Sequence, residues 1–240
     1  MLGLGTLFNA VGVVAGGLLG LTIGHVLSSR IQESLMKVAG VAVLFLGLAG
    51  TLEKMLQVTN TQLKVNGAML LIICLLAGTL IGEILNIERG FERFGEWLKK
   101  ITRNEKDSSF VDAFLVTSLT ICVGAMGIVG AIQDGLTGDY SILLAKAVLD
   151  AIVVLILTVS EGKGAIFSVI PLIIIQEGIT LLAQFISPIM TIEALANLSM
   201  VGSVLIFCVG TNLIWGKMFK VANMLPAVIL AILCSFLPFF

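Results

Sequence analysis

Apolar runs close to 20 residues long, separated by short polar links, repeat along almost the whole chain. A hydrocarbon core of about 30 Å takes about 20 residues of helix to cross. The runs near 6–27, 38–56, 67–85, 110–131, 141–159, 165–187, 200–216 and 221–239 therefore predict eight membrane-spanning helices. One stretch, 86–107, follows a different rule. There Ile87, Phe91, Phe94, Trp97, Leu98 and Ile101 recur at helical spacing among Glu88, Arg89, Glu92, Arg93, Glu96 and Lys99, which predicts an amphipathic helix lying on the cytoplasmic face. The pattern as a whole predicts an all-α polytopic membrane protein, with residues 1–240 forming a single integral membrane domain.

Composition leads the same way: the chain is 58% hydrophobic and 12% charged, with a mean hydropathy of +1.12. Soluble domains carry about 25% charged residues, so a water-soluble fold is excluded. The formal net charge of −1 hides an asymmetry. Alternate links carry Arg30 and Lys37, then Arg89, Arg93, Lys99, Lys100, Arg103 and Lys106, then Lys163, then Lys217 and Lys220, while the opposite set carries Lys54 and Lys64. Positive charge stays in cytoplasmic loops, so both termini are expected outside. The first apolar run lacks a basic leader and is longer than a signal-peptide core, so it reads as a retained span. Basic residues in 86–107 are nearly balanced by acidic ones, which argues against a nucleic-acid partner. Cys74, Cys122, Cys208 and Cys234 lie in apolar runs with no CxxC pair; they read as small buried hydrophobes, not as a metal or redox site.

Small residues recur in register. Gly12, Gly16, Gly20 and Gly24 line one ridge of the first helix, and Gly78 and Gly82 form a shorter ridge in the third, spacings that let a neighbouring backbone come close. An internal similarity is more informative. Residues 119–130 read LTICVGAMGIVG and residues 205–216 read LIFCVGTNLIWG, and without a gap Ala147, Val148, Ala151, Ile152 and Leu157 then fall opposite Ala227, Val228, Ala231, Ile232 and Leu237. Helices three to five would thus repeat as helices six to eight. Three is odd, so the second copy would cross the membrane the other way, the inverted repeat of many secondary transporters. The expected organisation is an N-terminal helix pair over 1–66, a first repeat over 67–160 containing the amphipathic helix 86–107, and a second repeat over 165–240.

A charge near the centre of a span costs about 2.5–3.5 kcal/mol, so those present mark packed or watered sites. Lys146 and Asp150 stand one turn apart in the fifth helix, and Gln176 and Glu177 sit mid-way along the sixth. Asp150 and Glu177 come to similar depth from consecutive helices, where they could share a proton or a cation. Gly124, Gly127, Gly130, Gln133, Asp134, Gly135 and Gly138 crowd the exit of the fourth helix, predicting a kinked or unwound backbone. Asn212 adds a polar group to the seventh. The expected substrate or ion pathway is Asp150, Glu177, Gln176, Lys146, Gln133, Asp134, Asn212 and Gly124. His25 is the one histidine, and H-E-x-x-H, G-x-S-x-G and G-x-x-x-x-G-K-[ST] motifs are absent. No nucleophile–base pair can be assembled, so the chain is not expected to be an enzyme or to need a cofactor or a metal.

The opening GTLFNAVGVVAGGLLG, the stretch CVGAMGIVGAIQDGLTGD and the following KAVLD, with Lys146 and Asp150, together resemble an uncharacterised bacterial inner-membrane family, domain of unknown function 554, over the whole chain. The resemblance implies a multi-pass protein of the bacterial cytoplasmic membrane and supplies no activity. From the residues, the expected function is a secondary transporter or channel-like carrier for a small polar or ionic solute, coupled to H⁺ or Na⁺. The alternative is a non-transporting membrane scaffold or assembly factor working through the glycine ridges and the amphipathic helix. Expected partners are the lipid bilayer, a small solute of unknown identity and, because eight short helices make a thin bundle, a second copy in a homodimer.

Overall fold

In lipid a chain segment must satisfy its own N–H and C=O groups, and the apolar runs accordingly form helices. The computed structural model describes residues 3–26, 28–59, 62–104, 107–122, 125–188 and 190–236. Helices α1 (Leu4–Val26) and α2 (Ser29–Met55) are followed by a hairpin, β1 (Leu56–Thr59) and β2 (Gln62–Val65), in which Leu56 pairs with Val65 and Thr59 with Gln62. Then come α3 (Ala68–Leu85), α4 (Ile87–Ile101), α5 (Phe110–Cys122), α6 (Ala125–Thr137) and α7 (Ser141–Glu161). A 3-10 turn over Lys163–Ser168 leads into α8 (Val169–Leu181), and α9 (Ala183–Ile186), α10 (Ile192–Trp215), α11 (Val221–Met224) and α12 (Pro226–Cys234) complete the chain.

Several elements differ from the pattern read along the sequence, each for a local reason. The run 110–131 is not one helix: α5 and α6 are bent by 61° to one another. The run 200–216 starts earlier, at Ile192, because the Thr191 hydroxyl accepts a hydrogen bond from the Ala194 N–H at 3.1 Å and caps the first turn. The run 221–239 is divided at Pro226, which has no N–H to donate to the preceding turn; its last residues, 237–240, lie outside those described. The link after α2 forms a hairpin, and Gly67, at φ 73°, supplies the left-handed turn by which it enters α3.

Among the described residues, six helices are long and apolar enough to cross a membrane, and the bent α5–α6 pair would make a seventh; the apolar stretch Val221–Cys234 is shorter. Large side chains such as Leu7, Phe45, Leu76 and Ile84 are more than half exposed along α1–α3. That is untenable in water for so many neighbours and ordinary against acyl chains. The fold is therefore an all-α polytopic membrane protein.

Close backbone approaches fix the sense of the helices. A Cβ on Gly12 would lie 2.7 Å from the Ala147 carbonyl oxygen and one on Gly20 2.7 Å from that of Leu155, so α1 and α7 run parallel. Gly40 meets Leu213 while Gly47 meets Ser203 and Phe207, so α2 and α10 are antiparallel. Gly78 faces Ala227 and Gly82 faces Asn223, so α3 and α12 are antiparallel too. Both glycine ridges seen in the sequence are thus consumed inside the chain. Helix α4 packs Phe91, Phe94 and Leu98 against Phe110 and Phe114 at the start of α5. Its apolar face is covered largely by protein, with Trp97 and Ile101 left exposed.

Candidate functional site

The charge that the fifth run carries into the membrane is paired inside the bundle. Lys146 and Asp150 lie one turn apart on α7, a spacing at which side chains meet. The Lys146 ammonium donates to Asp150 Oδ2 at 2.6 Å and Oδ1 at 2.8 Å, and to the Ile121 carbonyl at 2.8 Å. Both side chains are about nine-tenths buried. Ile121 is in the last turn of α5, where carbonyls have no onward helix to receive them and carry the negative end of the helix dipole. Lys146 therefore caps the end of a broken helix while neutralising Asp150. Gly127, at the start of α6, makes room: a Cβ there would be 3.3 Å from Lys146 Cε and 3.5 Å from Gln176 Nε2.

Two amides complete the cluster. Asn9 of α1, fully buried, donates from Nδ2 to Asp150 Oδ2 at 3.0 Å and to Gln176 Oε1 at 3.3 Å. Its own Oδ1, and the Thr6 hydroxyl one turn earlier, have no hydrogen-bond partner among the described residues. Four helices, α1, α7, α8 and the end of α5, thus deliver one amine, one carboxylate, two amides and a backbone carbonyl to one place.

The other residues singled out in the sequence are distributed more widely. Asp134 is buried on α6, where its Oδ2 accepts from the Gly5 N–H at 3.0 Å, capping the start of α1. Glu177, next in sequence to Gln176 but turned about 100° round α8, has its carboxylate over Gly3, at the start of α1. Gln133 donates to Asp139 at 2.6 Å in the link between α6 and α7. Asn212 closes the hairpin after α10: its Oδ1 accepts from the N–H groups of Met218 and Phe219 at 2.9 Å, and its Nδ2 donates to the Phe219 carbonyl at 2.7 Å. Gly124 lies outside the described residues.

Asn9 was not among the sequence candidates. One asparagine in an apolar helix is a weak signal, yet it precedes Gly12 by three positions and Gly16 by seven, and so lies on the ridge that packs inward.

Two cavities lie towards the end of the bundle that carries α4. One, of about 350 Å³, is lined by Glu88, Asp112, Glu161, Asn212 and Lys217 among apolar side chains. At its rim Lys217 bridges Glu88 at 2.7 Å and Glu92 at 3.1 Å. Partial burial there disfavours the ammonium, but those two carboxylates outweigh it and raise the Lys217 pKa. The second cavity, of about 340 Å³, is almost wholly apolar and is bounded by Ser118, Cys122, Pro171, Ile175 and Val228. Leu119 lines both. The inner cavity reaches Cys122, the neighbour of the carbonyl that holds Lys146.

Comparison with known proteins is consistent with this membrane architecture. The model of the family described as Protein of unknown function (DUF554) matches residues 4–236. The chain is similar to the Escherichia coli (strain K12) protein described as Uncharacterized protein YqgA, 33% identical over 232 residues, covering 95% of this chain and 94% of that one. It is also similar to the Bacillus subtilis (strain 168) protein described as Uncharacterized membrane protein YdfK, 28% identical over 226 residues, 94% of this chain and 93% of that one. No solved structure matches the chain.

Proposed function

The chain belongs to the DUF554 family, and from that premise we propose that it is a secondary carrier for a small polar or ionic solute, working in the bacterial cytoplasmic membrane with both termini outside. The observation that carries the proposal is the buried Lys146–Asp150 pair held against the end of a broken helix, with the Asn9 and Gln176 amides around it. Discontinuous helices whose ends face a polar site within the bundle are how carriers hold a solute or ion away from lipid. A pair serving only packing would be a poor use of the interior, because apolar residues of similar volume stabilise as well or better. The unclaimed oxygen of Asn9 and the hydroxyl of Thr6 supply acceptors that a solute can use.

The helix senses are compatible with an inverted repeat of three helices, which the internal sequence similarity suggests. Helix α3 runs towards the α4 end and α8 away from it; α5–α6 runs away and α10 towards; α7 runs towards and α12 away. Each member of the second triplet opposes its counterpart in the first, as the sequence similarity requires. On this reading the chain crosses eight times, with α5–α6 and α11–α12 as broken crossings, and alternating access comes from one triplet moving against the other. The two cavities that share Leu119 as a wall lie on the approach from the cytoplasm. The protein moves its solute and does no covalent chemistry on it.

The experiment is gradient-driven uptake into reconstituted vesicles, tested with a panel of amino acids, small carboxylates and small amines under imposed proton or sodium gradients. At least one class accumulates, and Asp150→Asn and Asn9→Leu each reduce its uptake at least tenfold. Uptake unchanged in both variants would refute the assignment of the site.

A further inference from the structure

The Lys146 ammonium sits where a free cation would bind. Around it are both oxygens of Asp150, the Ile121 carbonyl at the end of α5 and, one hydrogen bond further, the Gln176 and Asn9 amides. A carboxylate, a carbonyl at a helix break and amide oxygens are the hard donors that hold a dehydrated metal ion, and broken-helix carriers place Na⁺ among such groups. The Asn9 Oδ1, fully buried and without a partner among the described residues, is one oxygen more than the lysine uses. An ammonium offers three protons on a flexible stem; here it makes three contacts of 2.6–2.8 Å to the cage.

We propose that Lys146 is a tethered cation filling a monovalent-metal site, so that the wild-type cage takes up no sodium of its own. Among the described residues the ammonium is faced by the Asp150 carboxylate on its own helix and the Ile121 carbonyl of α5, while α1 presents the uncharged Asn9 and α8 the uncharged Gln176.

This inference does not rest on the carrier reading, and its test is independent of transport. The purified full-length protein is compared in sodium chloride and in N-methylglucamine chloride of equal ionic strength, by thermal unfolding and by binding of radioactive sodium. Wild type shows no difference between the salts. Lys146→Ala, which opens the cage, binds sodium at least tenfold more tightly than wild type and is stabilised by it saturably, and adding Asp150→Asn removes the effect. Sodium binding by the wild type that depends on Asp150 would overturn the proposal. So would a folded Lys146→Ala protein indifferent to sodium, or one that aggregates equally in both salts. If the vesicles carry no solute and yet Lys146→Ala gains the sodium site, the carrier reading falls while the tethered cation stands.

Discussion

Removing one partner of the Lys146–Asp150 pair leaves the other as an unmatched charge inside the bundle. Asp150→Asn keeps the volume and one acceptor for the ammonium but deletes the countercharge, with the side chains only 10% and 8% exposed. Breaking a pair buried to this degree costs about 3–5 kcal/mol, which at about 1.4 kcal/mol per decade is roughly a hundredfold to several thousandfold in the unfolding equilibrium. Lys146→Met should cost a similar amount, since it leaves the Asp150 carboxylate with the Asn9 amide alone. The double variant Lys146→Met/Asp150→Leu has no charge to strand and should recover most of the loss, because apolar replacement of a buried pair is often neutral or stabilising by about 1–4 kcal/mol. Reversible unfolding in mixed micelles of sodium dodecyl sulfate and dodecylmaltoside gives the three free energies, and the cycle isolates the coupling. Single-variant losses below about 1 kcal/mol, with no coupling, would mean the pair is solvated like a surface ion pair and the burial argument is wrong.

Two further outcomes follow from local geometry. Gly16 faces the Ala151 backbone so closely that a Cβ cannot fit without separating α1 from α7, whereas nothing lies within 4 Å of a Cβ on Gly90. In the same micelle assay Gly16→Leu should lose about 3 kcal/mol or more, while Gly90→Ala should be neutral or gain up to about 1 kcal/mol from helix propensity in α4. Asp139 is held below the usual carboxylate range by hydrogen bonds from the Ser141 hydroxyl and N–H, with a further one from Gln133. A lowered folded pKa means its support of the α7 start is present above the unfolded pKa and lost as pH falls through the folded one. Amide-exchange protection at 142–144 should therefore differ between wild type and Asp139→Ala at neutral pH and converge in acid.

What was legible in the sequence was whatever lipid makes expensive. Lys146, Asp150 and Gln176 stood out because polar groups in apolar runs need partners, and they are found together. Glu177 stood out for the same reason, but its carboxylate lies over Gly3, and hydropathy carries no azimuth. Asn9 passed unnoticed because an uncharged amide perturbs a 20-residue average little. The broken course of α5–α6 was foreshadowed by the glycine run, though the bend comes at its start and α6 stays helical through Gly130 and Gly135. The β1–β2 hairpin, at four residues a strand, is shorter than a span-length window resolves. Asn212 looked like a polar group at depth; in fact the helix ends within a turn of it, at Gly216, and its side chain closes the return.

If the cluster around Asp150 holds a solute in transit, it opens in turn to each face of the membrane. The measurement is to replace Gln176 with cysteine in a protein whose four native cysteines are serine or alanine, and to expose oriented vesicles to a membrane-impermeant thiol reagent from one side at a time. Labelling is expected from each side, with the sum limited to one modification per chain. Protection from both sides under every imposed gradient would contradict it and leave Lys146 and Asp150 as a sealed structural pair.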